Sequence, residues 1–290
     1  MDKIINKQAV NGSTVSEETT LSEAGFYWLQ QGAVKVLVSN ALESAGFVNG
    51  FSTRLGGVSS IPENALNLAG FDEDSEENIF ENRRRFLDAF GGEMRLTSVW
   101  QVHGDSVRHV KDEREALETE EKHDAIISSL SGWLVAVKTA DCVPVLVGDP
   151  VTGAFSAIHA GWRGTLSSIV RKSVEGLSRE YGAKPENMVA AIGPAAGKDN
   201  YEVGAEVISA FSETFPDGAE LFVETTAGHA LIDLHRANKN QLIDSGLPAS
   251  NISTAPLCTM ERTDLFFSYR VEKRKYGKTG RLMSVIGRAS

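Results

Sequence analysis

Two apolar runs, Val143-Pro144-Val145-Leu146-Val147 and Ala154-Phe155-Ser156-Ala157-Ile158, joined by a short turn, constrain this chain more than any other feature. Runs of this length bounded by turn residues read as β-strands, and Asp149-Pro150-Val151-Thr152-Gly153 reads as a hairpin connection. Antiparallel pairing would then bring Cys142, just before the first run, opposite His159 at the end of the second. A second imidazole stands upstream in Trp100-Gln101-Val102-His103-Gly104. Two nitrogens and one sulfur suit a borderline-soft divalent ion, and three protein ligands leave a tetrahedral ion one open position for water or substrate. His103, Cys142 and His159 are therefore the expected ligands of a metal-dependent enzyme, with zinc the expected metal.

The rest of the chain predicts strands alternating with helices. Strands are expected at Val34–Val38, Gly46–Ser52, Thr97–Val102, Asp124–Ser128, Trp133–Thr139, Val189–Pro194 and Arg281–Gly287. Ile79, Phe80, Arg83, Phe86, Leu87 and Phe90 form a helical stripe over residues 75–90, which Gly91-Gly92 ends. Its acidic start, Asp72 to Glu77, suits the positive end of a helix dipole. Helices are also expected over Thr165–Tyr181, Gly204–Phe211 and Asp233–Ser245. Residues 1–23, rich in Ser, Thr and Glu, read as a flexible N-terminal arm, and residues 24–290 as a single catalytic domain without repeats or linkers.

Hydrophobic residues make up 41% and charged residues 23%, which excludes a mainly disordered or fibrous chain. A net charge of −10 disfavours nucleic acid and acidic membranes as partners, although a few inward-facing arginines could still hold a small phosphate. The first residues lack the apolar stretch of a secretory signal and no segment reaches transmembrane length, so a cytoplasmic protein is expected. With only Cys142 and Cys258 there is no disulfide scaffold. A lone intracellular cysteine is usually a small buried hydrophobe, but Asp141 before Cys142 and Pro144 after it are poorly explained by packing alone. Of the other histidines, His123 adjoins a strand, whereas His109, His229 and His235 have no evident partners. No CxxC or HExxH is present.

Several further motifs carry a resemblance. Phe51-Ser52-Thr53-Arg54-Leu55-Gly56-Gly57-Val58-Ser59, Leu66-Asn67-Leu68, Glu81-Asn82-Arg83, Trp100 to Gly104, Thr139-Ala140-Asp141-Cys142, His159-Ala160-Gly161-Trp162-Arg163-Gly164, Gly193-Pro194 and Phe267-Ser268-Tyr269-Arg270 occur in that order. Over residues 46 to 287 the chain resembles the laccase-domain family, whose members are called polyphenol oxidases, purine nucleoside phosphorylases or peptidoglycan editing factors. The resemblance implies an α/β fold, a single domain of mixed β-sheets flanked by helices in a cysteine-hydrolase-like layered sandwich. It implies zinc on His103, Cys142 and His159. The activity it implies is phosphorolysis of adenosine, inosine and methylthioadenosine, with adenosine deamination as a second activity. The partners are then a purine nucleoside and phosphate. One departure is visible at His123-Asp124-Ala125, where only Asp124 and Ala125 match an acidic-Ala motif.

Phosphorolysis needs an anion held against the sugar, a way to neutralise the departing purine, and exclusion of water. Arg54, Arg163 and Arg270 lie in loop-like motifs with Gly or aromatic neighbours and are the expected substrate-binding residues, since a guanidinium can grip phosphate at two points. Cys142, His159 and Asp141 are the expected catalytic residues, Asp141 as a proton acceptor or partner of a metal ligand. Two other enzymes use the same residues. An amidohydrolase would use Cys142 as nucleophile and His159 as base on a muropeptide precursor. A copper polyphenol oxidase is less compatible, because blue-copper sites add a weak axial ligand and multicopper sites need more than six histidines. A nucleotide-binding module without turnover would keep ligand binding after loss of Cys142.

Overall fold

In the structure, a computed structural model, residues 15–60, 63–69, 74–119 and 121–290 are described. Val143–Gly148 and Phe155–Ala160 form the expected hairpin, with Val143 opposite Ala160 and Pro144 opposite His159. Both strands are buried along their whole length, as is Trp133–Thr139 except at Lys138. Alternate residues of these strands enter two different interiors. Val135, Val137, Leu146, Phe155 and Ala157 pack into one, while Leu134 and Ala136 enter a second and Val145, Val147 and Ile158 a third. A strand with protein on both faces must be apolar at both parities, which explains the continuous runs.

Two six-stranded mixed sheets result. The first runs Phe26–Gln31, Val34–Ser39, Val48–Ser52, Leu282–Gly287, Trp133–Thr139, Arg95–Ser98. The second runs Ile252–Thr254, Val189–Ile192, Val143–Gly148, Phe155–Ala160, Ala125–Ser128, Val107–Val110. Pairings are antiparallel except at three places, including both outer strands of the second sheet. Phe47, Phe51 and Phe155 fill the space between the sheets, with Phe47 edge-on to Phe155 at 6.2 Å. Burying each such side chain contributes about 1.5–3 kcal/mol. Helix Glu76–Asp88 covers the outer face of the first sheet through Phe86, and helices Ile169–Tyr181 and Leu234–Asp244 cover that of the second. The layered α/β sandwich is as expected.

Only Ala140, Asp141 and Cys142 carry the chain from Trp133–Thr139 in the first sheet to Val143–Gly148 in the second. Asp141 takes a left-handed φ of 85° to make that turn, a conformation costly for a residue with a Cβ. The crossing fixes Cys142 where both sheets end together.

Several local expectations are corrected. Val15–Glu23, read as part of an arm, is a helix whose Leu21 is buried; residues 1–14 lie outside the described residues, as do Asp72 and Glu73 of the acidic run. The stretch read as one helix over Thr165–Tyr181 is two, Trp162–Leu166 and Ile169–Tyr181, because Ser168 adopts φ 59° between them. Strand Arg95–Ser98 stops short of Trp100, and a strand at Phe26–Gln31 had no clear sequence signal. Ser75 caps helix Glu76–Asp88 by accepting from Asn78 N, and Asp233 caps Leu234–Asp244 through Arg236 N.

Candidate metal and substrate site

His103, Cys142 and His159 come together. Their ligand atoms all lie within 4.8 Å of one another, and the two rings stand 4.9 Å apart, nearly perpendicular at 83°. His103 sits after the end of a strand and is held at φ 60°, so it and Asp141 are two of four non-glycine residues with positive φ among the described residues. Strained backbone at two positions beside one cluster is the kind of cost that sites retain. Gly161 forms the wall behind the cluster. A Cβ there would stand 3.2 Å from Cys142 Sγ and 3.4 Å from His103 Cδ2. The glycine thus leaves a cradle beside the ligand atoms that any larger residue would fill. Gly164 is required for a different reason, since a Cβ there would meet Gly104 O at 2.8 Å.

Asp124 organises the cluster. Its Oδ1 lies 2.8 Å from His159 Nδ1, and it accepts from the amides of His103 at 3.0 Å, Gly104 at 2.6 Å and Val102 at 3.3 Å. The Asp124 carbonyl also accepts from His159 N at 2.7 Å. One carboxylate therefore fixes the loop carrying His103 and the ring of His159. Holding Nδ1–H leaves Nε2 as the free donor atom, the usual carboxylate–histidine–metal arrangement. Asp141 was the expected partner of a metal ligand; for His159 that role is filled by Asp124. The available signal was the match at Asp124-Ala125.

The charges agree with this geometry. Burial works against ionisation of Cys142, but the positive His159 ring and the hydrogen bond with His103 outweigh it and bring the thiol down to about 6. Burial likewise disfavours the charged His159 ring, but the Cys142 thiolate and Asp124 outweigh it and raise it to about 9. Asp124 is held below the ordinary carboxylate value, because the His159 hydrogen bond and the loop amides overcome desolvation. A thiolate and two imidazoles, gathered at close range with a cradle beside them, fit a metal ion that takes N and S ligands.

The cluster forms the floor of a cavity of about 600 Å³, within the usual range for small-molecule sites. Arg163, Arg270, Lys138 and Arg281 line it, together with Trp100, Trp162, Tyr201 and Tyr269. Arg163 is exposed and lies over its neighbour Trp162 at 4.1 Å, and its guanidinium has no ion pair or hydrogen bond among the described residues. Arg270 lies over Tyr201 at 4.9 Å and donates to Glu202 O at 3.0 Å. Gln101 reads the end of strand Trp133–Thr139 like a paired backbone, donating to Lys138 O at 2.6 Å and accepting from Lys138 N at 2.7 Å. Sequence reasoning missed Lys138, Arg281 and the aromatic residues, since nothing in their spacing links them.

Arg54 does not line the cavity, contrary to its expected substrate-binding role. Only 7% exposed, it is paired with Glu272 at 2.8 Å, donates to Thr263 O at 2.7 Å and stacks on Phe267 at 4.6 Å. Its Nη1 is engaged by protein partners, while its buried Nε has none among the described residues. Asp141 does border the cavity, but its carboxylate accepts from Thr259 Oγ1 at 2.7 Å, Ser268 Oγ at 3.0 Å and Arg270 N at 2.7 Å. Burial raises its pKa despite these bonds. Through these bonds it clamps the neighbouring loops. His123 is half-buried and lies 3.5 Å from Glu121, outside the cluster. His109 pairs with Tyr181 at 2.7 Å and His235 with Gly193 O at 3.1 Å.

A family model described as multi-copper polyphenol oxidoreductase laccase matches residues 48–289. The chain belongs to this laccase-domain family. Its relatives include a protein of Bacillus subtilis strain 168 named purine nucleoside phosphorylase YlmD, 34% identical over 251 residues that span 83% of this chain and 88% of that one. Another, from Escherichia coli K12, is named purine nucleoside phosphorylase YfiH and is 34% identical over 254 residues, 87% of this chain and 98% of its own. The crystal structure of YlmD from Geobacillus stearothermophilus aligns with a TM-score of 0.82 at 32% identity, covering 91% of this chain and 99% of that one. The family membership that the motifs suggested is thus established, and so is the fold. The shared family description and the relatives' names point to an enzyme of this family. No helix among the described residues is long and apolar enough to cross a membrane.

Proposed function

We propose that this protein is a zinc-dependent purine nucleoside phosphorylase acting on adenosine, inosine and methylthioadenosine, with adenosine deamination as a side activity. One observation carries this reading: a single cavity is lined by the His103–Cys142–His159 donor set, by Arg163 and Arg270, and by Trp162 and Tyr201. The names of its relatives point the same way.

In this reading Arg163 and Arg270 hold phosphate, each offering parallel N–H donors to its oxygens. The aromatic faces hold the purine and exclude water from the sugar. A phosphate oxygen forms a bond to C1′ as the C1′–N9 bond breaks, and the base departs with the electron pair and takes up a proton. Bound at the three ligands, zinc would supply Lewis acidity for that departure and an activated water for deamination. Asp124 keeps His159 oriented, and the Asp141 clamp keeps Arg270 at the cavity wall.

A second reading has its own support. Asp124, His159 and Cys142 form an Asp–His–Cys series with the thiol lowered to about 6, which suits a nucleophilic amidohydrolase acting on a muropeptide precursor. The copper oxidase reading is weaker, because no methionine lines the cavity among the described residues to serve as an axial ligand. One assay separates the three. Adenosine or inosine should give free base and ribose 1-phosphate only when phosphate is present, deamination should proceed without phosphate, and neither should need oxygen. Turnover that stops without oxygen would favour copper chemistry. Release of an amino acid from a UDP-linked muropeptide, with nucleosides untouched, would favour the amidase.

A further inference from the structure

We infer that Arg54 is a positioning residue that sets Tyr269 and Arg270 at the cavity wall through a buried ion pair with Glu272. The helix that brings these two residues to the cavity, Tyr269–Tyr276, is only eight residues long and ends in the charged run Lys273-Arg274-Lys275. Within it only Glu272 is buried, at 4% exposure, so an apolar face does not dock it. Polar contacts must do so.

Those contacts converge on Ser268, the N-cap. Glu272 Oε2 accepts from Ser268 N at 3.3 Å and from the Thr279 hydroxyl, while Glu272 Oε1 faces Arg54 Nη1 at 2.8 Å. Ser268 Oγ donates to Asp141 Oδ2 at 3.0 Å and accepts from Val271 N at 3.3 Å. The Arg270 amide, which a helix start leaves without an internal partner, donates to the same Asp141 oxygen at 2.7 Å. Asp141 and Glu272 thus hold the helix start from two sides. Asp141 adjoins Cys142, so one of these anchors is tied to the metal ligands.

Arg54 completes the second anchor. Besides Glu272 it donates to Thr263 O at 2.7 Å and to Phe266 O at 3.3 Å and lies over the Phe267 ring. It therefore holds the segment leading into the helix together with the helix itself, from a strand end more than 200 positions away in sequence. Losing the guanidinium would leave Glu272 as a buried charge without its partner, and the helix start would be released. Lysine restores the charge but not the planar guanidinium, which lies over the Phe267 ring while its Nη1 meets Glu272 and the two carbonyls.

The effect on turnover rests on the phosphorylase reading, so the test pairs a catalytic readout with one that does not depend on it. Full-length Arg54→Lys and Glu272→Gln proteins would be loaded with zinc and compared with wild type by hydrogen exchange and by phosphate kinetics. The amides of residues 268–272 should exchange about tenfold faster, with zinc content and the exchange of strands Val143–Gly148 and Phe155–Ala160 unchanged. The KM for phosphate should rise about tenfold with kcat little changed. In an Arg270→Ala background, Arg54→Lys should add nothing to the phosphate KM, because it acts through Arg270. Unchanged exchange at 268–272 would overturn the inference, as would a phosphate KM that worsens additively in the double variant. A wild-type enzyme that turns over no nucleoside with phosphate would sink the phosphorylase reading alone, and hydrogen exchange would still decide the positioning role.

Discussion

Asp124 and His159 are joined twice, by the 2.8 Å contact between carboxylate and ring and by the 2.7 Å hydrogen bond from His159 N to the Asp124 carbonyl. The strands Ala125–Ser128 and Phe155–Ala160 are paired neighbours, with Ala125 opposite Ile158, so the two residues meet where that ladder ends. Asp124→Asn should weaken metal affinity about 10–100-fold by loosening the His159 ring and the loop carrying His103. Competition with a chromophoric chelator would measure it. An unchanged affinity would show that Asp124 is only a loop cap.

The donor set predicts about one metal ion per chain. Cys142→Ala and His103→Ala should each lose it, whereas His123→Ala, outside the cluster, should retain it. Elemental analysis of protein purified without added metal decides this. Full occupancy in the Cys142→Ala protein would mean that the ligands have been misassigned.

The pH dependence follows from the coupled pair. Without metal, Cys142 and His159 give up one proton near 6 and the second near 9, close to the ordinary values of 6.5 for histidine and 9.0 for cysteine. Taken singly, His159 would add stability lost as pH rises through 9, and Cys142 stability lost as pH falls through 6. As a pair they hold the same number of protons as the unfolded chain between 6.5 and 9.0, so they add almost no pH slope to folding there. Metal binding is different, because it requires a thiolate and a neutral imidazole. Between about 6 and 9 the Cys142–His159 pair must expel one proton on binding, and below about 6 two. The logarithm of metal affinity should therefore rise by about one per pH unit across that window and more steeply below it. Calorimetry in buffers of different ionisation enthalpy would count the protons; a pH-independent affinity would contradict the pair.

Gly161 offers a steric test. Its φ of −70° is open to alanine, so Gly161→Ala should fold, yet the new Cβ would stand 3.2 Å from Cys142 Sγ. Metal affinity should drop about tenfold or more through crowding, with little change in the denaturation midpoint of the metal-free protein. A variant that binds metal as well as wild type would show that the cradle has room to spare.

The sequence by itself pointed to most of the elements and to the three candidate ligands. Short continuous apolar runs with turn residues between them read as strands shielded on both faces, and the hairpin they imply forms with Pro144 opposite His159. Two residues at the ends of one hairpin are local enough to be read from spacing, and His103 stood out through its motif. What lay beyond reach was set by contacts between distant segments. Arg54 and Arg163 both sit in glycine-flanked motifs, but Arg54 meets Glu272 across 218 positions and is consumed by it, while Arg163 opens into the cavity. Asp141 and Asp124 both precede strands of the second sheet, and only the packing of the two sheets decides which carboxylate turns toward His159 and which toward Ser268 and Arg270. Ser168 likewise broke a helix that its neighbours' periodicity favoured. Periodicity and turn chemistry act along the chain, so most strands and helices are legible in it; the direction of a charged side chain depends on partners that only folding supplies.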